Sequence, residues 1–163
     1  HQAKLLAPDV AAGDYFGLSV TIYGDTVVVG AYGDDDDGDR SRSAHVFVRG
    51  EWEWFHQAKL LASDGAANDE FGTGTTAIYK RSGLIRPSSW RQMERQVIIL
   101  EDTVVVGADG RGSAHVFVRS GESWTHQAKL LAPDRAMFDF FGWSVAIYGD
   151  TIVVGAPWDG DFG

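Results

Sequence analysis

The string His-Gln-Ala-Lys-Leu-Leu-Ala stands in this chain three times, at residues 1–7, 56–62 and 126–132, and an aspartate follows each copy: Asp9, Asp64 and Asp134. At a fixed distance behind each comes a second aspartate and a Phe-Gly pair: Asp14 with Phe16-Gly17, Asp69 with Phe71-Gly72, Asp139 with Phe141-Gly142. A valine-rich run closes each set, at Thr26–Ala31, Thr103–Ala108 and Thr151–Ala156. A unit of this length buries little by itself. Stacked on its own copies it buries a continuous core, so the pattern restricts the chain to a solenoid, a propeller or an array.

Within one unit the pattern predicts strands. Ser19–Tyr23 alternates and is rich in β-branched residues, and Gly24-Asp25 joins it to Thr26–Val29. Two β runs linked by Gly-Asp read as a hairpin, because glycine supplies the positive φ of a tight turn. Tyr148–Thr151 repeats the device. A third strand is expected over Ala44–Arg49 and Ala114–Arg119. A fourth is expected over Gln57–Ala62 and Gln127–Ala132, entered through Trp54 and Trp124. Each unit is then an antiparallel meander of four short strands.

Val27-Val28-Val29 decides how such sheets pack. Neighbouring strand residues point to opposite faces, so a continuous apolar run means that both faces are covered. A sandwich covers each sheet on one face only. A small four-stranded sheet shielded on both sides by copies of itself is a propeller blade. The fold class expected is all-β, with blades of four antiparallel strands. The divisions expected are 1–17 (last strand of a preceding blade and a linking loop), 18–72 (one blade), 73–142 (a second blade with a basic insertion at 74–96) and 143–163 (the start of a further blade). The chain opens inside one repeat and stops inside another, which reads as a piece of something longer.

These motifs resemble the FG-GAP repeat, the blade of the integrin α-subunit propeller. The FG element is Phe16-Gly17, Phe71-Gly72 and Phe141-Gly142; the GAP element is complete at Gly155-Ala156-Pro157 and partial at Gly30-Ala31 and Gly107-Ala108. The resemblance implies a closed ring of seven blades, of which this chain would hold a part, with the remaining blades of the parent chain as its partners. It also implies an extracellular or cell-surface location, for which this segment carries no signal. Integrin-type blades often carry a calcium loop between their first and second strands. Here that connection is Gly24-Asp25 or Gly149-Asp150, and two residues cannot supply the six or more oxygens that calcium takes.

The charges gather at one end. In an up-and-down blade the second-to-third turns and the interblade links share an end, and most of the chain's 23 acidic residues fall there. Asp9, Asp14, Asp64, Asp69, Asp134 and Asp139 recur in every unit, which suits turn-shaping by backbone hydrogen bonds; ligand contact is the alternative role. Asp34, Asp35, Asp36, Asp37 and Asp39 occur once. They are candidate cation ligands, although Gly33 falls where the first ligand of a calcium loop belongs. Trp158 and Trp52 stand outside the repeat, and either could stack on a glycan.

Residues 74–96 break the pattern with Lys80, Arg81, Arg86, Arg91 and Arg95 against one acid, Glu94. The first-strand signature occurs twice here, at Thr76–Tyr79 and at Val97–Leu100. The second, apolar throughout and joined directly to Glu101-Asp102-Thr103, is expected innermost, which would hang the insertion from the acidic end. The stretch reads either as a binding loop or as translated non-coding sequence.

A net charge of −9 argues against nucleic acid as a partner. No apolar run is long enough for a membrane helix. No nucleophile-elbow, Walker or HExxH pattern occurs. His1, His56 and His126 are one repeat position and His45 and His115 another, so they are expected to be spread around a ring as strand residues and not to converge. The function expected is a non-catalytic binding or adhesion module that presents its acidic loop face to a protein or glycan ligand. The rivals are a propeller hydrolase or lyase with its active site outside this segment, and a segment with no independent function.

Overall fold

A computed structural model describes residues 3–34, 42–62, 71–80, 102–108, 112–134 and 139–159. Ten strands occur in these residues, and among them there is no helix. The first sheet holds β1 (Phe16–Tyr23), β2 (Thr26–Ala31), β3 (Ser43–Arg49) and β4 (Trp54–Leu61). The second holds β5 (Phe71–Lys80), β6 (Asp102–Ala108), β7 (Ser113–Ser120) and β8 (Ser123–Leu131). A two-stranded sheet follows, β9 (Ser144–Tyr148) and β10 (Thr151–Gly155). Strand order is sequential in every sheet and all pairings are antiparallel.

Hairpin turns set the register. Tyr23 pairs with Thr26 and Tyr148 with Thr151. Gly24 and Gly149 hold φ near +60° and +57° at the first central position, where a type II′ turn asks for it. The described first-to-second strand connections, β1–β2 and β9–β10, therefore contain two residues each.

The sheets fan out from a common edge. First strands of successive sheets touch extensively, β1 with β5 and β5 with β9, while β4 and β8 barely meet. This radial arrangement is that of propeller blades. Val28 projects with Ala44, Val46 and Leu60 into a cluster shared with Phe71, Ile78, Val104 and Val106 of the next blade. Val27 and Val29 project the opposite way, onto Leu5, Phe16 and Trp54. Val27 and Val28 are 6% and 0% exposed, so both faces of the valine run are covered. Val105, at the same place as Val28, is covered in turn by Val145, Ile147, Ile152 and Val154.

Phe-Gly and Gly-Ala meet across the blade interface. The FG glycines Gly17, Gly72 and Gly142 all lie at positive φ. A Cβ on Gly72 would stand 2.8 Å from the Ser43 carbonyl oxygen of the preceding blade, and one on Gly142 would stand 2.1 Å from that of Ser113. Gly30 lies against the Gly72 carbonyl, which also accepts a 3.0 Å hydrogen bond from Ser19 Oγ. Both glycines are needed because two backbones approach too closely for a side chain.

Two expectations need correction. Residues 3–7 form no strand; a strand needs a hydrogen-bonded neighbour, and none of the described residues pairs with them. Leu5 nevertheless faces the first blade as Leu60 and Leu130, its repeat equivalents, face the following units. The first strand of the second blade, β5, takes in Thr76–Tyr79, not Val97–Leu100: Thr76 pairs with Val106 and Tyr79 with Thr103. The Phe71-Gly72 anchor fixes where the chain enters the blade, and the nearer segment takes the place. A bulge one residue longer than that of β1 accommodates it, since Phe16 and Val20 oppose Ala31 and Val29 while Phe71 and Thr76 oppose Ala108 and Val106. The β5–β6 connection thus leaves from the end opposite the acidic one. Residues 81–101 lie outside the described residues.

Candidate functional site

The linker end of the first blade carries a chain of polar groups built on adjacent strands. Ser43 and His45 lie two apart on β3 and so share a face; β4 sets His56 and Lys59 beside them. Asp34 follows β2, and its carbonyl accepts a 2.8 Å bond from the Arg42 amide, which closes the loop end. Asp9 comes from the linker.

Ser43 Oγ donates to Asp34 Oδ2 and lies 2.9 Å from His45 Nε2. His45 Nδ1 lies 3.1 Å from His56 Nε2. Proton counting fixes the tautomers. A carboxylate only accepts, so the single Ser43 proton goes to Asp34. His45 must then donate from Nε2, which leaves Nδ1 as an acceptor, and His56 donates from Nε2. Burial pushes both imidazoles below the ordinary histidine pKa, in keeping with two neutral rings.

Lys59 closes the cluster. Its Nζ lies 2.8 Å from Asp9 Oδ2 and 2.8 Å from Asp34 Oδ2. Burial alone would lower the ammonium's pKa, but the Asp34 and Asp9 carboxylates outweigh it and hold Lys59 above its ordinary value. The bond from Lys59 in turn holds Asp9 below the usual carboxylate range. Asp9, Asp34 and His45 have ligand atoms within 4.8 Å of one another, a spacing that could hold a metal ion. The Lys59 ammonium already stands between the two carboxylates and supplies the positive charge a cation would bring.

The Ser43, His45 and Asp34 trio does not suit nucleophilic catalysis. In a serine triad the carboxylate orients the histidine; here Asp34 takes the serine's proton instead. Ser43 is also wholly buried.

The second blade repeats part of this. His115 Nδ1 lies 3.0 Å from His126 Nε2, and Ser113 Oγ lies 3.4 Å from His115 Nε2. In both blades the histidines pack edge-on against the FG phenylalanine and the phenylalanine two residues on: Phe16 and Phe47 in the first, Phe71 and Phe117 in the second. The expectation that the histidines do not converge is corrected. The two repeat positions lie on neighbouring strands and meet within each blade. The sequence signal was the regular spacing of His45 and His56, which a hairpin brings side by side.

Of the other candidate residues, Asp14 accepts a 2.5 Å bond from the Ala11 amide on its carboxylate, within the linker, and a 2.8 Å bond from the Gly33 amide, just after β2, on its carbonyl. Asp139 is equivalent, and its carbonyl accepts from the Trp158 amide at 3.4 Å. Asp134 lies on the surface. Asp35, Asp36, Asp37, Asp39, Asp64 and Asp69 lie outside the described residues. Trp158 is 70% exposed and meets Phe140, which also meets Trp143. Trp52, at 93%, sits on the β3–β4 turn, at the opposite end of the blades.

The model of the FG-GAP repeat matches residues 1–47, 54–77 and 124–163, more than half of the chain. Among curated proteins no significant match was found.

Proposed function

Because the chain belongs to the FG-GAP repeat family, we infer that it is a non-catalytic binding or adhesion module, working outside the cell or at its surface, that meets a protein or glycan ligand with the linker end of its blades. The observation that carries this reading is a division of labour at that end. The Asp9, Asp14 and Asp34 carboxylates are engaged within the fold. Trp143 and Trp158 instead present open rings on either side of Phe140. Exposed tryptophans grouped in this way offer apolar faces on which sugar rings or a partner's side chains can stack. Asp159, exposed and next to Trp158 in the chain, adds a hydrogen-bond acceptor beside them.

The test is a titration of intrinsic tryptophan fluorescence with a panel of oligosaccharides, followed by binding to surface-immobilised extracellular-matrix proteins. Trp158→Ala is expected to weaken whichever interaction is found at least tenfold, and Trp52→Ala, at the far end, to leave it unchanged. Loss of binding in Trp52→Ala with Trp158→Ala unaffected would place the contact at the wrong end and reject the reading.

A further inference from the structure

The linker end carries aromatic side chains where the backbone disfavours them. Tyr15 and Phe140 hold the same place in the repeat, one residue before the FG phenylalanine. Both lie in the left-handed region, at φ 48° and 53°. Bulky side chains are rare there, and glycine or asparagine would sit with less strain. The core does not ask for the ring, since Tyr15 is 66% exposed. Both rings are nonetheless held in place. The Leu18 amide donates to the Tyr15 carbonyl at 3.2 Å, and the Trp143 amide to that of Phe140 at 3.0 Å. Tyr32 stands 6.0 Å from Tyr15, its own ring backed by the Arg42 guanidinium at 4.4 Å. Trp143 and Trp158 stand 6.2 Å and 6.4 Å from Phe140, at interplanar angles of 81° and 61°. Neighbouring blades leave this place open. Leu18 belongs to a blade with the next blade packed behind it and is 59% exposed. Trp143, at the same place in the repeat, has a blade packed in front of it and is 53% exposed.

We propose that the Tyr15–Tyr32 pair and the Phe140, Trp143 and Trp158 group are two subsites for one neutral polysaccharide, which rests on the linker end being the ligand face. A sugar ring lays its C–H face on an aromatic ring and gives its hydroxyl protons to nearby acceptors. Asp159, beside Trp158, is such an acceptor. The net charge of −9 disfavours sulfated and uronate-rich polymers. A protein partner needs a contiguous buried centre to its contact. Two small sites on separate blades instead suit a ligand that itself repeats. The blade between them has Glu70 and Thr73 at the places of Tyr15 and Leu18, so the stacking contacts skip one blade. Backbone strain under an exposed ring marks a side chain kept for contact at the expense of the fold.

Affinity electrophoresis of the 163-residue chain through native gels cast with soluble β-glucan, galactomannan or arabinoxylan tests this. At least one of the three is expected to retard the wild type, and alginate is expected not to. Trp143→Ala and Tyr15→Asn are each expected to weaken the apparent affinity about tenfold. The retarding polymer is expected to bind about tenfold more tightly than its own trisaccharide, because only the polymer reaches both sites. Tyr15→Asn is also expected to melt at or above the wild-type temperature, since it relieves the left-handed strain. A lower melting temperature for Tyr15→Asn would make the ring part of the fold and overturn the proposal. Free passage through all three neutral gels, equal retardation by alginate, or retention that both variants keep also overturns it. A trisaccharide as tight as the polymer overturns the pairing of the two sites. Binding to immobilised matrix proteins that Trp158→Ala abolishes, with no retention in any gel, overturns the polysaccharide and leaves the linker end as the ligand face. Retention lost in Trp52→Ala alone overturns both.

Discussion

Ile22 and Ile78 carry the same side chain at the same place in successive blades, and one lies open while the other is sealed. Phe16 and Phe71 differ in the same way: Phe16 is half-buried, and Phe71 is fully enclosed between two blades. What separates the members of each pair is the sheet that stands in front of them. The FG element is therefore an interblade joint. Its phenylalanine fills the gap in front of its own blade, and its glycine lets the chain touch the carbonyl of the blade before.

Matched substitutions can break this comparison. Phe71→Ala is expected to cost about 3–5 kcal/mol, the usual range for a fully buried phenylalanine, and Phe16→Ala less than half of that. Urea denaturation midpoints decide it, and equal losses would mean that the joint matters no more inside the array than at its edge. Lys59→Met comes next. It strips two carboxylates of their counter-ion, one of them buried, and is expected to cost about 3 kcal/mol, the low end for a broken buried pair. Asp34→Asn in the same background should restore part of the loss.

The glycines give a smaller effect. Gly142→Ala and Gly72→Ala combine a positive φ with a backbone clash and are expected to cost about 2–4 kcal/mol. Gly17→Ala has open space around it and should cost only the roughly 1–2 kcal/mol of backbone strain. Thermal melts of the three variants rank them.

Acidity gives the smallest effect and sharpens the comparison. Burial lowers the pKa values of His45 and His56, so the unfolded chain binds more protons than the folded one below about pH 6.5. Stability is complete above that pH and declines as pH falls, by up to about 1.4 kcal/mol per pH unit for each proton taken up. Denaturation at pH 7.5 and pH 5.5 measures the slope. His56→Gln, which can still donate toward His45, is expected to flatten it. An unchanged slope would trace the decline to groups outside this pair.

Much of the fold was legible because it depends on alternation and turns. Val27-Val28-Val29 needs two covered faces whatever lies upon them, and Gly24-Asp25 needs a tight hairpin. The choice between Thr76–Tyr79 and Val97–Leu100 was not legible by composition. Val97–Leu100 is the more apolar, but proximity to the Phe71-Gly72 anchor decided, and a bulge absorbed the extra residue. The cluster was half legible. Asp34 was marked by its single occurrence and Asp9 by its recurrence, yet nothing local to either showed that Lys59 would reach both. That contact depends on strand β4 lying beside β3, a relation of register that charge counting along the chain does not contain.

Lys59 has a consequence for the conditions under which this end of the blade keeps its shape. A mineral ion in its place would come and go with supply, and a chelator could withdraw it. An amine tethered by its own side chain cannot diffuse away, so the contact of Lys59 with Asp9 and Asp34 keeps its own counter-charge in hard water, in soft water and in the presence of citrate.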